Sequence, residues 1–394
     1  MIYRSFGEQK LSLLGFGAMR LPTLPDGQID KAQTFQMVDT AIARGINYFD
    51  TAQPYHGGMS EVVLGEALSR HRREDFYLAT KFPGHQIFSE YNPKEVFEEQ
   101  LKKCRVDYFD FYLLHNVYEH SMGVYTDPKW GIIDYFVEQK KQGKIRHLGF
   151  STHGSVETMR AFLDIAGEHM DFCQIQLNYL DWTLQDAKAK YELLKAYNLP
   201  IFVMEPVRGG KLASLPEEEM EKLRRHRPNA DAVEWCFRFL ETLPRVNLVL
   251  SGMSNMAQLE DNLETFGEEK PLSEAELSTL FQVAEALKGG VPCTACGYCM
   301  EGCPMGLNIP RMLATLNDLT FAKSVNVCMW LQFSPADQQP SACIECGKCV
   351  RTCPQGIDVP ASLKALSEKM KTVPSWAEIS RQREEAQKRM RENK

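Results

Sequence analysis

The stretch FYLATKFPGHQIFSEYNPKEVFEEQLKKCRVDYFDFYLLH, Phe76–His115, holds one complete strand–helix–strand unit. Its two ends, FYLATK (Phe76–Lys81) and FDFYLLH (Phe109–His115), are short aromatic and branched runs of the kind that make buried strands. Between them NPKEVFEEQLKKC opens with Asn92 before Pro93, a capping residue followed by proline at the first helical position. A strand, a helix and a second strand joined this way form a parallel pair, because the helix carries the chain back across the sheet. Both strands end in a polar residue, Lys81 and His115, and both ends therefore lie at the same edge of the sheet.

Working outward, the same alternation recurs. Further strands are expected at LLGFG (Leu13–Gly17), NYFD (Asn47–Asp50), IRHLGFS (Ile145–Ser151), FCQIQLN (Phe172–Asn178), IFVME (Ile201–Glu205) and NLVLSG (Asn247–Gly252). Helical signals separate them. DKAQTFQMVDTAIARG places Asp30 as an N-cap, Phe35, Val38, Ala41 and Ile42 on one face, and Gly45 as a stop. DPKWGIIDYFVEQKKQG offers Asp127 before Pro128 as another start, and SEAE (Ser273–Glu276) is a capping-box pattern. Eight strands alternating with helices predict an α/β fold, a (β/α)8 TIM barrel. IYRSFGEQKLSLL ahead of the first strand reads as a short hairpin closing the barrel bottom.

The 394 residues exceed one barrel of ~250 residues, which leaves room for an appendage. It is visible as two near copies, CTACGYCMEGCPMGLNIP (Cys293–Pro310) and CIECGKCVRTCPQGIDVP (Cys343–Pro360). Each reads C-x2-C-x2-C-x3-C-P. In that spacing three thiolates hold one [4Fe–4S] cube and the fourth, before proline, reaches the other cluster. One site then takes Cys293, Cys296, Cys299 and Cys353, and the other Cys343, Cys346, Cys349 and Cys303. Tetrahedral zinc uses C-x2-C pairs separated by a longer loop, so three cysteines in a row at this spacing fit it poorly. The segment from Pro292 to Pro360 resembles the two-cluster bacterial ferredoxins, with a helical insert, IPRMLATLNDL, between the copies. The expected domains are a barrel over 1–288, a ferredoxin-like two-cluster iron–sulfur domain over 289–372 and a helical tail over 373–394. Cys104, Cys173, Cys236 and Cys328 fall outside the pattern and read as buried packing.

Composition excludes several classes. Hydrophobic residues are 44% and charged residues 25%, with a net charge of −7 and no basic block among the first 300 residues, so no nucleic acid partner is expected. No apolar run reaches the ~20 residues of a membrane span, and the amino-terminal stretch lacks the layout of a secretion signal. No membrane partner and a cytoplasmic location are the expectations, with the cysteines reduced or bound to metal.

Catalytic groups of such barrels sit at the carboxyl ends of strands. Asp50, Lys81 and His115 close three successive strands, and Tyr55 follows Asp50 in FDTAQPYHGGMSE. A tyrosine with a pKa near ~10 exchanges protons poorly at neutral pH, and a nearby ammonium held by an aspartate lowers that value. His115 then orients a carbonyl oxygen. A hydride donor is still required, and no side chain supplies one.

On these motifs, with ATK, LLH, GFS and QIQLNY in the same order, the chain resembles the aldo-keto reductases from about residue 1 to 290, in their iron–sulfur branch. The resemblance implies Asp50, Tyr55, Lys81 and His115 as the catalytic tetrad with Tyr55 as general acid, and a small carbonyl or alcohol as substrate. It implies NADP(H) or NAD(H) across the barrel mouth. Ser151, Thr152 and Gln174 would hold the carboxamide, and Gly209, Gly210 and Leu212 would approach the pyrophosphate. Ser254, Gln258 and Asn262 would meet the adenosine end, with Gly17, Met19 and Asp50 also in the cofactor-binding set. Glu205 stands where many members stack an aromatic residue, with Arg208 as its candidate partner. Gln258 stands where arginine is common, and SGMSN carries no cation for a 2′-phosphate, which leaves NADPH and NADH both open. For the clusters three roles stand: structural or docking elements, carriers of electrons from a ferredoxin or flavoprotein partner, or parts of a redox-responsive binding module. NVYEHSMGVYTDPKW, with Tyr118, Tyr125 and Trp130, is a candidate wall of an aromatic pocket or a packing surface for the cluster domain.

Overall fold

The computed structural model describes the chain except residues 87, 89, 120, 289, 292, 294–296, 322–324, 354, 383–384 and 386–394, and gives only the backbone of 298, 301 and 321. It divides into two compact units, Met1–Leu277 and Ser278–Lys394, the division falling inside the helix Glu274–Lys288.

In the first unit β1 (Tyr3–Phe6) and β2 (Gln9–Ser12) form an antiparallel hairpin. Eight parallel strands follow: β3 (Leu14–Gly17), β4 (Tyr48–Asp50), β5 (Tyr77–Phe82), β6 (Phe109–Leu114), β7 (Ile145–Thr152), β8 (Phe172–Gln176), β9 (Ile201–Met204) and β10 (Val246–Ser251). They close in chain order, β10 pairing with β3, into the expected barrel. Alternate residues face inward, and the layer in the barrel interior is made by Tyr48, Ala79, Phe111, Phe172, Phe202 and Leu248. Small residues make room for the rings: a methyl group on Gly149 would meet Phe172 at 2.5 Å. Phe6 of the hairpin plugs this interior, its ring 5.3 Å from Phe111 and 5.7 Å from Phe202.

That parity decides the mouth. One inward step further along the strands come Gly17, Asp50, Lys81, Ser151, Gln174 and Met204, with His115 just past the end of β6. Apolar contact fills the barrel below, and polar groups collect where the strands end.

Local signals account for most helices. Asp30 accepts the Gln33 N–H at 3.0 Å to start Lys31–Ala43, and Asn92 accepts the Glu95 N–H at 3.1 Å to start Pro93–Cys104. Ser273 and Glu276 form the reciprocal capping box, with the Ser273 N–H donating to Glu276 at 2.8 Å. Two expectations shift. The buried face of Lys31–Ala43 is Thr34, Met37, Val38 and Ala41, and Phe35 lies at its flank beneath the Arg70 guanidinium at 5.2 Å. Asp127 and Pro128 do not open a helix. Asp127 ends the short helix Met122–Thr126 and accepts the Lys129 N–H at 2.9 Å, and the next helix, Ile132–Lys141, starts only after Gly131 turns the chain at φ +55°.

In the second unit the described residues of the two cysteine copies share their turns and helices. Each bends at a left-handed glycine (Gly297, φ +82°; Gly347, φ +68°) into a short helix, Tyr298–Glu301 or Lys348–Thr352. Each turns again at Gly306 (φ +60°) or Gly356 (φ +63°) into a long helix with proline second, Ile309–Phe321 or Val359–Lys371. A side chain at these glycines would be strained, which explains why both copies keep them. Leu313, Leu316, Leu363 and Leu366 pack the long helices together, with Val327, Cys328 and Leu331 of Val325–Gln332. Of the expected helical tail 373–394, residues 376–382 are helical, and residues 383–384 and 386–394 lie outside the described residues. No described helix is long and apolar enough to cross a membrane.

Candidate active site

Asp50 and Lys81 are buried, 2% and 0% exposed. The Lys81 ammonium donates to Asp50 Oδ1 at 2.5 Å, to the Thr51 carbonyl at 2.8 Å and to the Tyr55 hydroxyl at 3.4 Å. Tyr55 opens a single turn, Tyr55–Gly58, whose His56, Gly57 and Gly58 are left-handed. This turn is tied to the end of β3. The Leu21 N–H donates to His56 Nε2 at 3.1 Å, and Ser60 donates to the Ala18 carbonyl at 2.9 Å. The His115 ring stands edge-on to Tyr55 at 6.0 Å. The four side chains named from sequence thus converge on one mouth.

Burial pushes the Tyr55 phenol above its usual range, while Lys81 pulls it back and Asp50 and Glu205 add to the rise. For Lys81, burial acts downward and the Asp50 and Tyr55 charges outweigh it, so the ammonium is held raised. Sequence reasoning expected the lysine to lower the tyrosine; here desolvation wins. Tyr55 therefore keeps its proton at neutral pH.

Near His115 one residue was missed, His85, and another, Tyr125, takes a different place from the one expected. His85 is 5% exposed with its ring 4.3 Å from that of His115. Tyr125, buried, donates to the His115 carbonyl at 2.7 Å and lies 3.1 Å from that of Phe82, which settles Tyr125 as a brace beneath the mouth. A methyl group on Gly84 would meet the Tyr125 ring at 2.6 Å. The signal was the P-G turn in KFPGHQ, close behind Lys81, which returns the chain over the strand end.

The expected cofactor residues divide into two groups. Gln174 is 2% exposed with Oε1 buried and without a hydrogen-bond partner among the described residues, and its Nε2 touches the Met204 sulfur at 3.6 Å. Gly209 (φ +65°) and Gly210 (φ +89°) present bare backbone, and Leu212 is buried behind them. An orphaned amide oxygen and a glycine cradle fit a bound carboxamide and phosphates. Ser151 accepts the Asn116 N–H at 2.9 Å, which ties it to the residue after His115. Thr152 is engaged inward, donating to the Val117 carbonyl at 2.6 Å and accepting the Gly154 N–H at 2.9 Å. Asn262 donates to Ser251 at 2.8 Å. Gln258 accepts the Ser254 N–H at 2.7 Å, Gly17 closes β3, and Met19 is 52% exposed beyond it.

Parity corrects the reading of IFVME. Met204, not Glu205, points inward above Phe202 and stands beside Gln174. Glu205, at φ +57°, turns aside and faces Arg20 at 3.9 Å. Arg208 is 6% exposed, and its Nε lies 2.9 Å from Asp181 Oδ1; Gln176 and Asn178 donate to the same carboxylate, each at 2.7 Å.

In the second unit one small cavity is lined by Cys303, Cys343, Cys346 and Cys349 among Pro304, Leu307, Ile309 and Leu363. Another is lined by Cys293, Cys299 and Cys353 with Pro310, Leu313 and Ile357. The fourth cysteine of each copy lines the cavity of the other. Cys296 lies outside the described residues. Cys328 is buried apart from both, and Cys104, Cys173 and Cys236 are buried in the first unit.

A closed parallel barrel with these groups at its mouth, followed by paired cysteine cavities, defines an oxidoreductase with an iron–sulfur module. The aldo/keto reductase family matches residues 13–285 and the 4Fe-4S dicluster domain residues 292–357, and the chain belongs to the aldo/keto reductase family. Among curated relatives, an uncharacterized oxidoreductase of Bacillus subtilis, YqkF, is 27% identical over 302 residues, 68% of this chain and 92% of that protein. The NADH-specific methylglyoxal reductase of Escherichia coli is 25% identical over 323 residues, 71% of this chain and 96% of that protein. Among solved structures, aldo-keto reductase AKR11C1 from Bacillus halodurans in its holo form is 28% identical with a TM-score of 0.60, covering 73% of this chain and 97% of its own.

Proposed function

We propose that the barrel interconverts a small carbonyl compound and its alcohol with a nicotinamide cofactor, Tyr55 exchanging the proton. The observation that carries this reading is the convergence of Tyr55, Lys81, Asp50 and His115 at one mouth. A bound nicotinamide would supply the hydride. Tyr55 donates its hydroxyl proton to the carbonyl oxygen, Lys81 stabilises the phenolate left behind, and Asp50 holds the ammonium in place. His115 donates to the same oxygen and orients it. Gln174 holds the carboxamide, and Gly209 and Gly210 let backbone approach the phosphates. The relative named as an NADH-specific methylglyoxal reductase supports a carbonyl substrate and is in line with the lack of a cation in SGMSN. The test is consumption of NADH or NADPH with a panel of aldehydes and ketones, which Tyr55→Phe is expected to slow by about 10²–10⁴-fold.

The second unit holds two [4Fe–4S] clusters, ligated crosswise by Cys293, Cys296, Cys299 and Cys353 and by Cys343, Cys346, Cys349 and Cys303. Apolar walls around thiols are the surroundings such a cluster requires. An electron-transfer role is the second reading, favoured by one observation. Cys346 is exposed and its neighbour Ile344 is 59% exposed, which gives that cluster a face to a redox partner.

A further inference from the structure

SGMSN contains no arginine or lysine, yet the structure brings a cation to it from elsewhere in the chain. Arg20 leaves the end of β3, lays its stem against Gly252 and accepts the Ser254 hydroxyl on its carbonyl at 2.9 Å. A methyl group on Gly252 would sit 3.3 Å from its Cβ, Cγ and Cδ. Its guanidinium reaches Glu205 at 3.9 Å, with the two side chains 48% and 27% exposed. Both heads lie over the bare backbone of Gly209: a methyl group there would stand 3.3 Å from Arg20 Nη2 and 3.4 Å from Glu205 Oε2. The following residue, the His56-bound Leu21, ties the same turn to Tyr55. Three loops therefore meet at one long, partly exposed ion pair across the glycine cradle.

We propose that Arg20 and Glu205 form an exchangeable latch, in which a dinucleotide's pyrophosphate displaces the carboxylate and takes the guanidinium. This rests on the nicotinamide reading above. A guanidinium offers a planar fork suited to phosphate oxygens, and a pair at 3.9 Å in partial contact with water is weak and readily exchanged. Glu205 is not a ligand but the internal competitor, kept beside the cradle by Arg20. Its carboxyl is pushed up by burial against the Arg20 pull, with Asp181 adding to the rise. Since the pyrophosphate is common to both nicotinamides, Arg20 serves NADH and NADPH alike.

The test is equilibrium binding of NADH and of NADPH to the reconstituted full chain, by protein-fluorescence quenching across a salt series. Arg20→Gln is expected to weaken both by about tenfold to a hundredfold and to flatten the salt dependence. Glu205→Gln is expected to tighten both by roughly twofold to tenfold, by removing the competitor. Arg20 is half exposed, so folding is not at stake, and unchanged thermal midpoints verify it. Unchanged binding in Arg20→Gln overturns the latch. Weakening by Glu205→Gln overturns it too, by making Glu205 a ligand. Weakening of NADPH alone reassigns Arg20 to the 2′-phosphate and refutes the pyrophosphate exchange. Wild-type protein that binds neither nicotinamide removes the underlying cofactor reading and the latch with it, an outcome distinct from the others.

Discussion

Tyr55→Phe removes one oxygen from the mouth, and the structure sets what that costs. The hydroxyl is the most distant of the three Lys81 acceptors, at 3.4 Å against 2.5 Å for Asp50 and 2.8 Å for Thr51. The ammonium keeps its two nearer partners, so no buried charge is stranded. The ring edge against His115 is retained. Stability is therefore expected to change by less than about 1 kcal/mol. The cradle at Gly209 and the amide of Gln174 are untouched, so nicotinamide affinity is expected to stay within about twofold. Turnover loses its proton donor, and kcat for carbonyl reduction is expected to fall by about 10²–10⁴-fold, or roughly 3–5 kcal/mol in the barrier. The assay is anaerobic consumption of reduced nicotinamide with an aldehyde, alongside cofactor titration and a melting curve. Turnover within tenfold of wild type refutes the proton-donor role. A parallel loss of cofactor binding or of several degrees in Tm refutes the claim that the hydroxyl acts in chemistry alone.

Four further outcomes are expected. Because burial raises the Tyr55 phenol, carbonyl reduction is expected to run level through neutral pH and to decline only in the alkaline range; a rate profile falling between pH 6 and 8 contradicts this. His153 is held down at about 4, by burial first and then by Lys190, so an unfolded chain takes up this proton before the folded one does. Stability is thus expected to fall as pH drops from about 6.5 toward 4, and His153→Gln is expected to flatten the decline in Tm between pH 7 and 5. Crosswise ligation predicts that Cys303→Ala with Cys343→Ala removes about half of roughly eight irons per chain, while Cys303→Ala with Cys293→Ala removes nearly all; equal losses contradict the crossing, as does stoichiometric zinc. Tyr125→Phe frees the carbonyl of His115 and is expected to lower kcat by roughly tenfold with cofactor binding unchanged, measured in the same assay.

The barrel and the meeting of Asp50, Tyr55, Lys81 and His115 at its mouth were legible because they rest on short-range rules. Each strand is a run of apolar residues, three successive ones close on Asp50, Lys81 and His115, and parallel winding brings those ends together. The cysteine copies were legible because ligand spacing is itself local. What sequence concealed depends on long-range approach. Arg20 reaches Gly209 across nearly half the chain and Ser254 across more than half, and no local pattern marks that meeting. His85 comes beside His115 only once Tyr125 fixes the backbone near both. Met204 was hidden by a frame error of one residue, which strand alternation from Phe202 corrects. Asp127–Pro128 carried a sound capping signal, and the left-handed Gly131 overrode it. The sign of the Tyr55 shift was missed because burial cannot be read from neighbouring letters, while the Lys81 charge can.

The measurement that bears most directly on the central claim is label transfer. Protein reconstituted with iron and sulfide is mixed anaerobically with an aldehyde and with NADH or NADPH deuterated at either face of the nicotinamide carbon, while the cluster EPR signal is followed. Hydride chemistry in the barrel predicts deuterium on the carbinol carbon of the alcohol, from one face only, with one nicotinamide consumed per carbonyl. Alcohol formed without deuterium while the clusters become reduced would place the electrons on the iron–sulfur route instead, and would contradict a barrel that works by direct transfer.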